Sequence, residues 1–433
     1  MNMFSRITEV FKPNSIFPNI STLGYYDHHS QLIFLNNYNK NMVSALNRGN
    51  TNLFRDFINI ALHELNHFYD HTSTLWGQRY LVLIHNAITA FIQGDPKQFW
   101  RINELNRISM RTFYSVYYST IGPNAPKSWD GENWKYKFST GLEFNHIGKI
   151  NPHKPIVFTR FSTKDDTLIA RVPLSISSLL ETNSVYAELV SELEFIQLLN
   201  NYSQVAERIK LNNQYKNKLY DPNFTVYSVA AHCLANNIKE KNIVKAYKLS
   251  SVLSRFCLNL PLEYYKIIII PNELNDWGER NINLLKAGNI GYLYLVLTFS
   301  ANKYVDGDSI VDWLSETIKK AGLPCIKIIN ERIHQLMLEN KKRLIEGPLK
   351  ERYSYLLDKG LENYEYNGIY NSFRFKDILD SNIIIPPLVL GDDSIFNFPC
   401  KSLDETIYDI TKSHDLSWDF SSFIDGFLPA CIT

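Results

Sequence analysis

The segment His63-Glu64-Leu65-Asn66-His67 sets two imidazoles four residues apart, with a carboxylate beside the first. On a helix, i, i+4 spacing turns both rings to one side, where a single Zn²⁺ can be held by both. Glu64 can then reach a water activated at that centre and act as general base. The pattern is short. With 11 His in 433 residues, chance yields it in roughly one such chain in a hundred. Its meaning rests on the elements around it.

Helix geometry limits which neighbours can share the ion. At about 100° per residue, His63, His67 and Asp70 fall within about 60° of arc, with Glu64 to one side. Asp70 is a candidate acceptor for the N–H of a ligating imidazole, a bond that fixes the tautomer and frees the other nitrogen for zinc. His71 lies near the same face but roughly 12 Å from His63 along an unbroken helix, too far for zinc–nitrogen bonds of about 2.0–2.1 Å. His71 and Trp76 are instead expected to end the helix and pack the next turn. The metzincin pattern HExxHxxGxxH interrupts the helix at a glycine; here Asp70 holds the glycine position and Ser73 that of the last histidine.

A third ligand must come from another element. The best placed is Glu181, in the helical stretch SSLLETNSVYAEL at 177–189. Glu181, Ser184, Glu188 and Glu192 form one stripe there, beside an apolar face of Leu189, Val190, Leu193 and Ile196. Ser184 and Ala187 are small enough for a close helix contact. Glu181 is the candidate ligand, and Glu188, two turns on, the candidate that orients a ligating histidine. Glu192, Glu143 and Glu104 are alternatives. Hydrolysis also needs a donor to an oxyanion; His232 is a candidate, although a core histidine is its simpler reading, as it is for His28 and His29.

HELNHFYDHTSTLWGQ followed by a SLLE-xx-S-xx-AE helix resembles the HExxH zinc metallopeptidases of the zincin group, on the gluzincin side, and in particular large bacterial families with a distant glutamate helix. The resemblance covers about 53–78 and 172–195. It implies that His63 and His67 are zinc ligands, Glu64 the base and Glu181 the third ligand, with a protein or peptide as substrate. One departure is spacing: Glu181 lies 114 positions beyond His67, further than in compact gluzincins. The competing reading is a non-catalytic helical scaffold in which Asp70, Glu181 and Glu188 satisfy two buried histidines.

Around these blocks the pattern is mainly helical. Helices are expected at 53–70, with capping residues in 47–52, and at 79–92, 98–119, 175–199, 203–217, 224–238 and 242–257. Gly77 and the run at 72–74 mark a stop. Residues 120–160 are rich in Gly, Pro, Asn and aromatics, with strand-like alternation at 156–161 and 167–172; a stretch this long suggests a functional segment that covers or lines a cleft. The run 261–276 reads as a boundary or a short strand into a turn. Helices follow near 280–300, 309–321, 327–358 and 403–412. The expected class is mainly α (α+β): a zincin-like catalytic domain over 1–270, with an insertion at about 120–172, then a helical C-terminal domain over 271–433.

Composition narrows the function classes. A net charge of +1 gives no general attraction to nucleic acid or to an acidic membrane. No run approaches the ~20 apolar residues of a membrane span, and residues 1–21 lack the apolar core of a secretory signal. Cys233, Cys257, Cys325, Cys400 and Cys431 are scattered, form no CxxC pair and point to a reduced compartment. A cytoplasmic protein with no nucleic-acid or membrane partner is expected.

Overall fold

The computed structural model describes residues 23–432 apart from 47–50, 115–117, 127–130, 145–148, 369–373, 381 and 399–400. Residues 1–21 and the capping residues expected at 47–50 therefore lie outside the described part. The chain is 64% helical with small β elements, a mainly-α (α+β) fold. No helix among the described residues is long and apolar enough to cross a membrane.

The metal motif sits on a long helix, α2 (Thr51–Ser73), which follows strands β1 (Tyr25–Asp27) and β2 (Leu32–Leu35) and the short α1 (Lys40–Leu46). Phe57, Ile58, Ala61, Leu62, Leu65 and Phe68 are buried along one side of α2, as their helical spacing requires. They pack against β2 and against strands from the far end of the sequence. Helix α3 (Leu75–Gln93) begins after a one-residue break. Thr74 makes that break: its side chain accepts the Gly77 N–H and caps the new helix. The expected stop at 72–74 is present, but Gly77 lies inside the first turn of α3 and does not end anything. Its role is close approach. A Cβ at Gly77 would fall 2.2 Å from the Asp70 carbonyl oxygen, so only glycine lets α3 fold back on the last turn of α2.

After α4 (Trp100–Phe113), the segment expected to be an irregular insertion is instead a sheet. Strands β3 (Thr120–Ile121), β4 (Lys135–Phe144), β5 (Ile150–Ser162) and β6 (Leu168–Pro173) pair antiparallel in the order β3-β6-β5-β4. The strand alternation read at 156–161 and 167–172 falls on β5 and β6; β4, less regular in sequence, escaped it. Val157, Phe161, Ile169 and Val172 on this sheet share a core with Val226, Val229 and Cys233. The sheet is thus packed on helix α7 (Thr225–Ile238) rather than left as a loop.

Helix α5 (Ile176–Gln197) leaves this sheet through a reciprocal cap, with Ser175 and Ser178 each bonding the other's backbone. Its stretch of Ser177, Ser178, Ser184 and Ala187 is buried, and it packs directly on α2. Helices α6 (Asn201–Leu219), α7 and α8 (Ile243–Asn259) complete a layer around α5.

Elements beyond 270 pack on elements before it. The run 261–276 is two 3₁₀ segments, not a strand. Helices α9 (Glu279–Lys286), α10 (Ile290–Ser300) and α11 (Ile310–Lys320) join the core of β5, β6 and α7. The helix expected over 327–358 is divided into α12 (Ile326–Asn340) and α13 (Lys350–Asn367) by a 3₁₀ turn and a loop that holds Pro348. Helix α13 packs on α2, and Gly360 there would place a Cβ 2.0 Å from the Thr72 carbonyl oxygen. After the short α14 (Phe375–Leu379), strand β7 (Leu388–Leu390) lies parallel to β2, with β8 (Ile395–Phe396) outside it, so the second sheet runs β1-β2-β7-β8. A short α15 (Glu405–Tyr408) and α16 (Ile410–Ile432) close the chain over α3. The pairing of β2 with β7 buries the apolar residues of both strands in one cluster, which joins segments from either side of 270.

The clamp on α2 has a measurable consequence. Gly77→Ala is expected to lower unfolding free energy by about 1–3 kcal/mol through overpacking, read by urea denaturation. Gly426→Ala, on a helix with no atom within 4 Å of the added Cβ, is expected to be neutral or to stabilise by up to about 1 kcal/mol.

Candidate metal centre

Helices α2 and α5 cross so that three side chains converge. Nε2 of His63 lies 3.2 Å and Nε2 of His67 lies 3.6 Å from Oε2 of Glu181. One ligand atom from each residue lies within 4.8 Å of the other two, a set that could hold a metal ion. The same Glu181 oxygen is buried and has no hydrogen bond of acceptable geometry. A carboxylate oxygen kept from water with no donor is costly. A cation at the point faced by all three atoms removes that cost, so the residues present fit a metal.

The second nitrogen of each imidazole is also engaged. Nδ1 of His63 lies 2.5 Å from Oε1 of Glu188. Glu181 and Glu188 are seven residues apart, two turns and roughly 10 Å along one face of α5, and so they bracket the two nitrogens of a single ring. Nδ1 of His67 lies 3.4 Å from the Ser184 hydroxyl. With each Nδ1–H donating in this way, Nε2 is the nitrogen that each ring would offer to a metal. The Glu188 carboxylate is itself held by the Tyr215 hydroxyl, at 3.1 Å, and by Lys218, at 3.7 Å, both on α6.

These contacts set the charge states. Burial opposes a proton on His63, but the Glu181 and Glu188 carboxylates outweigh it and hold its pKa well above the usual imidazole value. Burial drives His67 the other way, down to about 4. Glu188 would be raised by burial, yet Lys218, His63 and Tyr215 bring it down to about 2. Glu64 is pushed by burial up to about 7; the charge on His63 opposes this, and those on Glu181 and Glu188 add to it. The backbone of Tyr26 on β1 also acts to lower it.

Asp70 stands differently from expectation. Its carboxylate accepts from Asn183 at 2.8 Å and not from either imidazole, because α5 and α8 pack on its side of α2. Asn183 in turn accepts from Ser251 at 2.9 Å. Burial raises the Asp70 pKa to about 6 against the charge of Arg255. Arg255 donates to Asn66 at 2.9 Å, and Asn66 reaches Ser184 at 3.3 Å. Asp70 therefore belongs to a buried polar network beneath the motif, whose contact with a ligand runs through Ser184. The hydroxyl that faces His67 was legible only as a small residue.

The remaining candidates lie elsewhere. Glu192 is bound by Arg55 and Asn59, and Glu143 pairs with Arg111; Glu104, on α4, is outside the cluster. Nε2 of His232 lies 2.7 Å from the Leu219 carbonyl oxygen, and its ring stacks on Trp134. Burial takes its pKa to about 4. It is a neutral core histidine. His71 bonds the His67 carbonyl oxygen through Nδ1 and packs on Trp76 and Tyr26; His28 and His29 lie against one another and against Phe113 and Phe420.

Tyr227 on α7 was not singled out, and one tyrosine among 26 carries no signal. Its ring lies 6.2 Å from that of His63. The charge of Glu181, then burial, then Glu64 and Glu188 hold its hydroxyl protonated to well above the usual phenol range. It is an O–H donor beside the cluster.

Glu188→Gln is expected to weaken binding of a divalent metal by 10- to 100-fold, measured by competition with a chromophoric chelator, with Ser184→Ala producing a smaller loss. No family model, curated protein or solved structure matches this chain.

Proposed function

We propose that this protein is a zinc-dependent metallopeptidase. The observation that carries the reading is the convergence of His63, His67 and Glu181 on one point, with a buried Glu181 oxygen that has no hydrogen bond. Bound there, zinc supplies an acidified water and a Lewis acid for a carbonyl oxygen. Glu64, next to His63 and within the same buried cluster, takes the proton of the attacking water and passes it to the leaving nitrogen. Tyr227 donates its O–H to the oxygen that gains charge as the carbonyl becomes tetrahedral.

Protein purified without added metal is expected to carry one zinc per chain by elemental analysis and to cleave members of a quenched-fluorescent peptide library. Glu64→Gln is expected to keep the zinc and lose about 10²- to 10⁴-fold in hydrolysis. Chains without stoichiometric metal, or undiminished cleavage by Glu64→Gln, would leave a helical scaffold as the better description. Tyr227→Phe is expected to lower kcat about 10²- to 10³-fold, with KM and zinc content unchanged.

A further inference from the structure

A cavity of about 290 Å³ lies outside the metal cluster, and none of His63, Glu64, His67, Glu181 and Glu188 lines it. It is walled by the first residues of three helices: Leu75 and Trp76 of α3, Ile176 of α5 with its cap Ser175, and Ile290 and Gly291 of α10. Gly291 is packed so closely that a Cβ would lie 1.8 Å from the Leu174 carbonyl oxygen, which holds the starts of α5 and α10 side by side. Each helix start adds partial positive charge to the wall.

The side chains have two characters. Much of the lining is apolar, with Leu83, Ile108, Leu174 and Leu258 among it, and Trp76 and Tyr80 stack in the wall with ring centroids 5.5 Å apart. The charged members are Arg79, Arg111, Lys154 and Glu143. Glu143 lies 3.3 Å from the Nε of Arg111 and 3.9 Å from Lys154, an ion pair to each. Arg79 is half-buried; its Nε is shielded from water with no hydrogen-bond acceptor, and no carboxylate pairs with it among the described residues. A guanidinium in an apolar wall is poorly placed without an anion, and its fork of donors matches a carboxylate.

We propose that this cavity binds a medium-chain acyl carboxylate, with the carboxylate on Arg79 and the hydrocarbon chain against the aliphatic wall. One unanswered cation calls for a single negative charge, and Glu143 disfavours more. The size agrees: a cavity of roughly 150 Å³ holds benzene, so this one takes about ten to twelve heavy atoms on the same scale. The proposal is independent of the metal reading, because it uses none of those residues.

Calorimetric titration of the full chain with decanoate and with 1-decanol tests it. Decanoate is expected to bind saturably at one per chain and at least tenfold more tightly than 1-decanol. Arg79→Gln should weaken decanoate at least tenfold while leaving 1-decanol within twofold, and Leu83→Trp, which fills the cavity, should remove both. No saturable decanoate binding, equal affinity for the two probes, or decanoate binding unchanged in Arg79→Gln would overturn it. Should Arg79→Gln fail to fold by circular dichroism, the comparison of the two probes on the unaltered chain decides alone.

Discussion

Three carboxylates, from Glu64, Glu181 and Glu188, are held together with two imidazoles where α2 meets α5, and this crowding of buried negative charge is what the surrounding structure must accommodate. Lys218 and the Tyr215 hydroxyl answer Glu188 from α6. Glu181 keeps a buried oxygen without a hydrogen bond, pointed at the Nε2 atoms of both histidines. In a region of low effective dielectric such a group is expensive, and a divalent cation is the simplest partner. The acidic cluster and the metal reading are one argument.

The helices around the cluster are arranged to keep α2 and α5 in fixed register. Gly77 and Gly360 let α3 and α13 press on the last turn of α2 with backbone against backbone. Beneath the motif, Asp70, Asn183, Ser251, Arg255, Asn66 and Ser184 form hydrogen-bonded chains that join α2, α5 and α8. Each bond in such a network is modest, but breaking one leaves a buried polar group unpaired. The network therefore favours one relative placement of the two helices, and that placement sets the distances between His63, His67 and Glu181.

Helix α5 also links two regions of opposite electrostatic character. Its middle carries Glu181 and Glu188, facing the imidazoles. Its first residues line the cavity that holds Arg79, Arg111 and Lys154. The separation is economical, since the positive end of the helix faces the region suited to an anion, while the carboxylates sit further along where a cation is called for. Motion that displaced α5 against α2 would disturb both regions together.

The sequence by itself determined that His63 and His67 share one face, and the helix that bears them, because i, i+4 spacing and apolar periodicity are local properties of α2. It also indicated the class, mainly helical with a small β part, and marked Glu181 and Glu188 as one face of another helix, since seven residues return nearly to the same angle. What lies between those helices could not be read from either alone. That Asp70 turns to Asn183 and not to an imidazole depends on α5 and α8 occupying its side of α2. Ser184 as the neighbour of His67 and Tyr227 beside His63 depend equally on contacts between segments far apart in the chain. The sheet has the same character: β2 pairs with β7, more than 350 residues later, and burial of an apolar strand face does not respect order along the chain. Periodicity reports which face of an element is apolar. Only packing decides what that face, and the polar groups at its border, will meet.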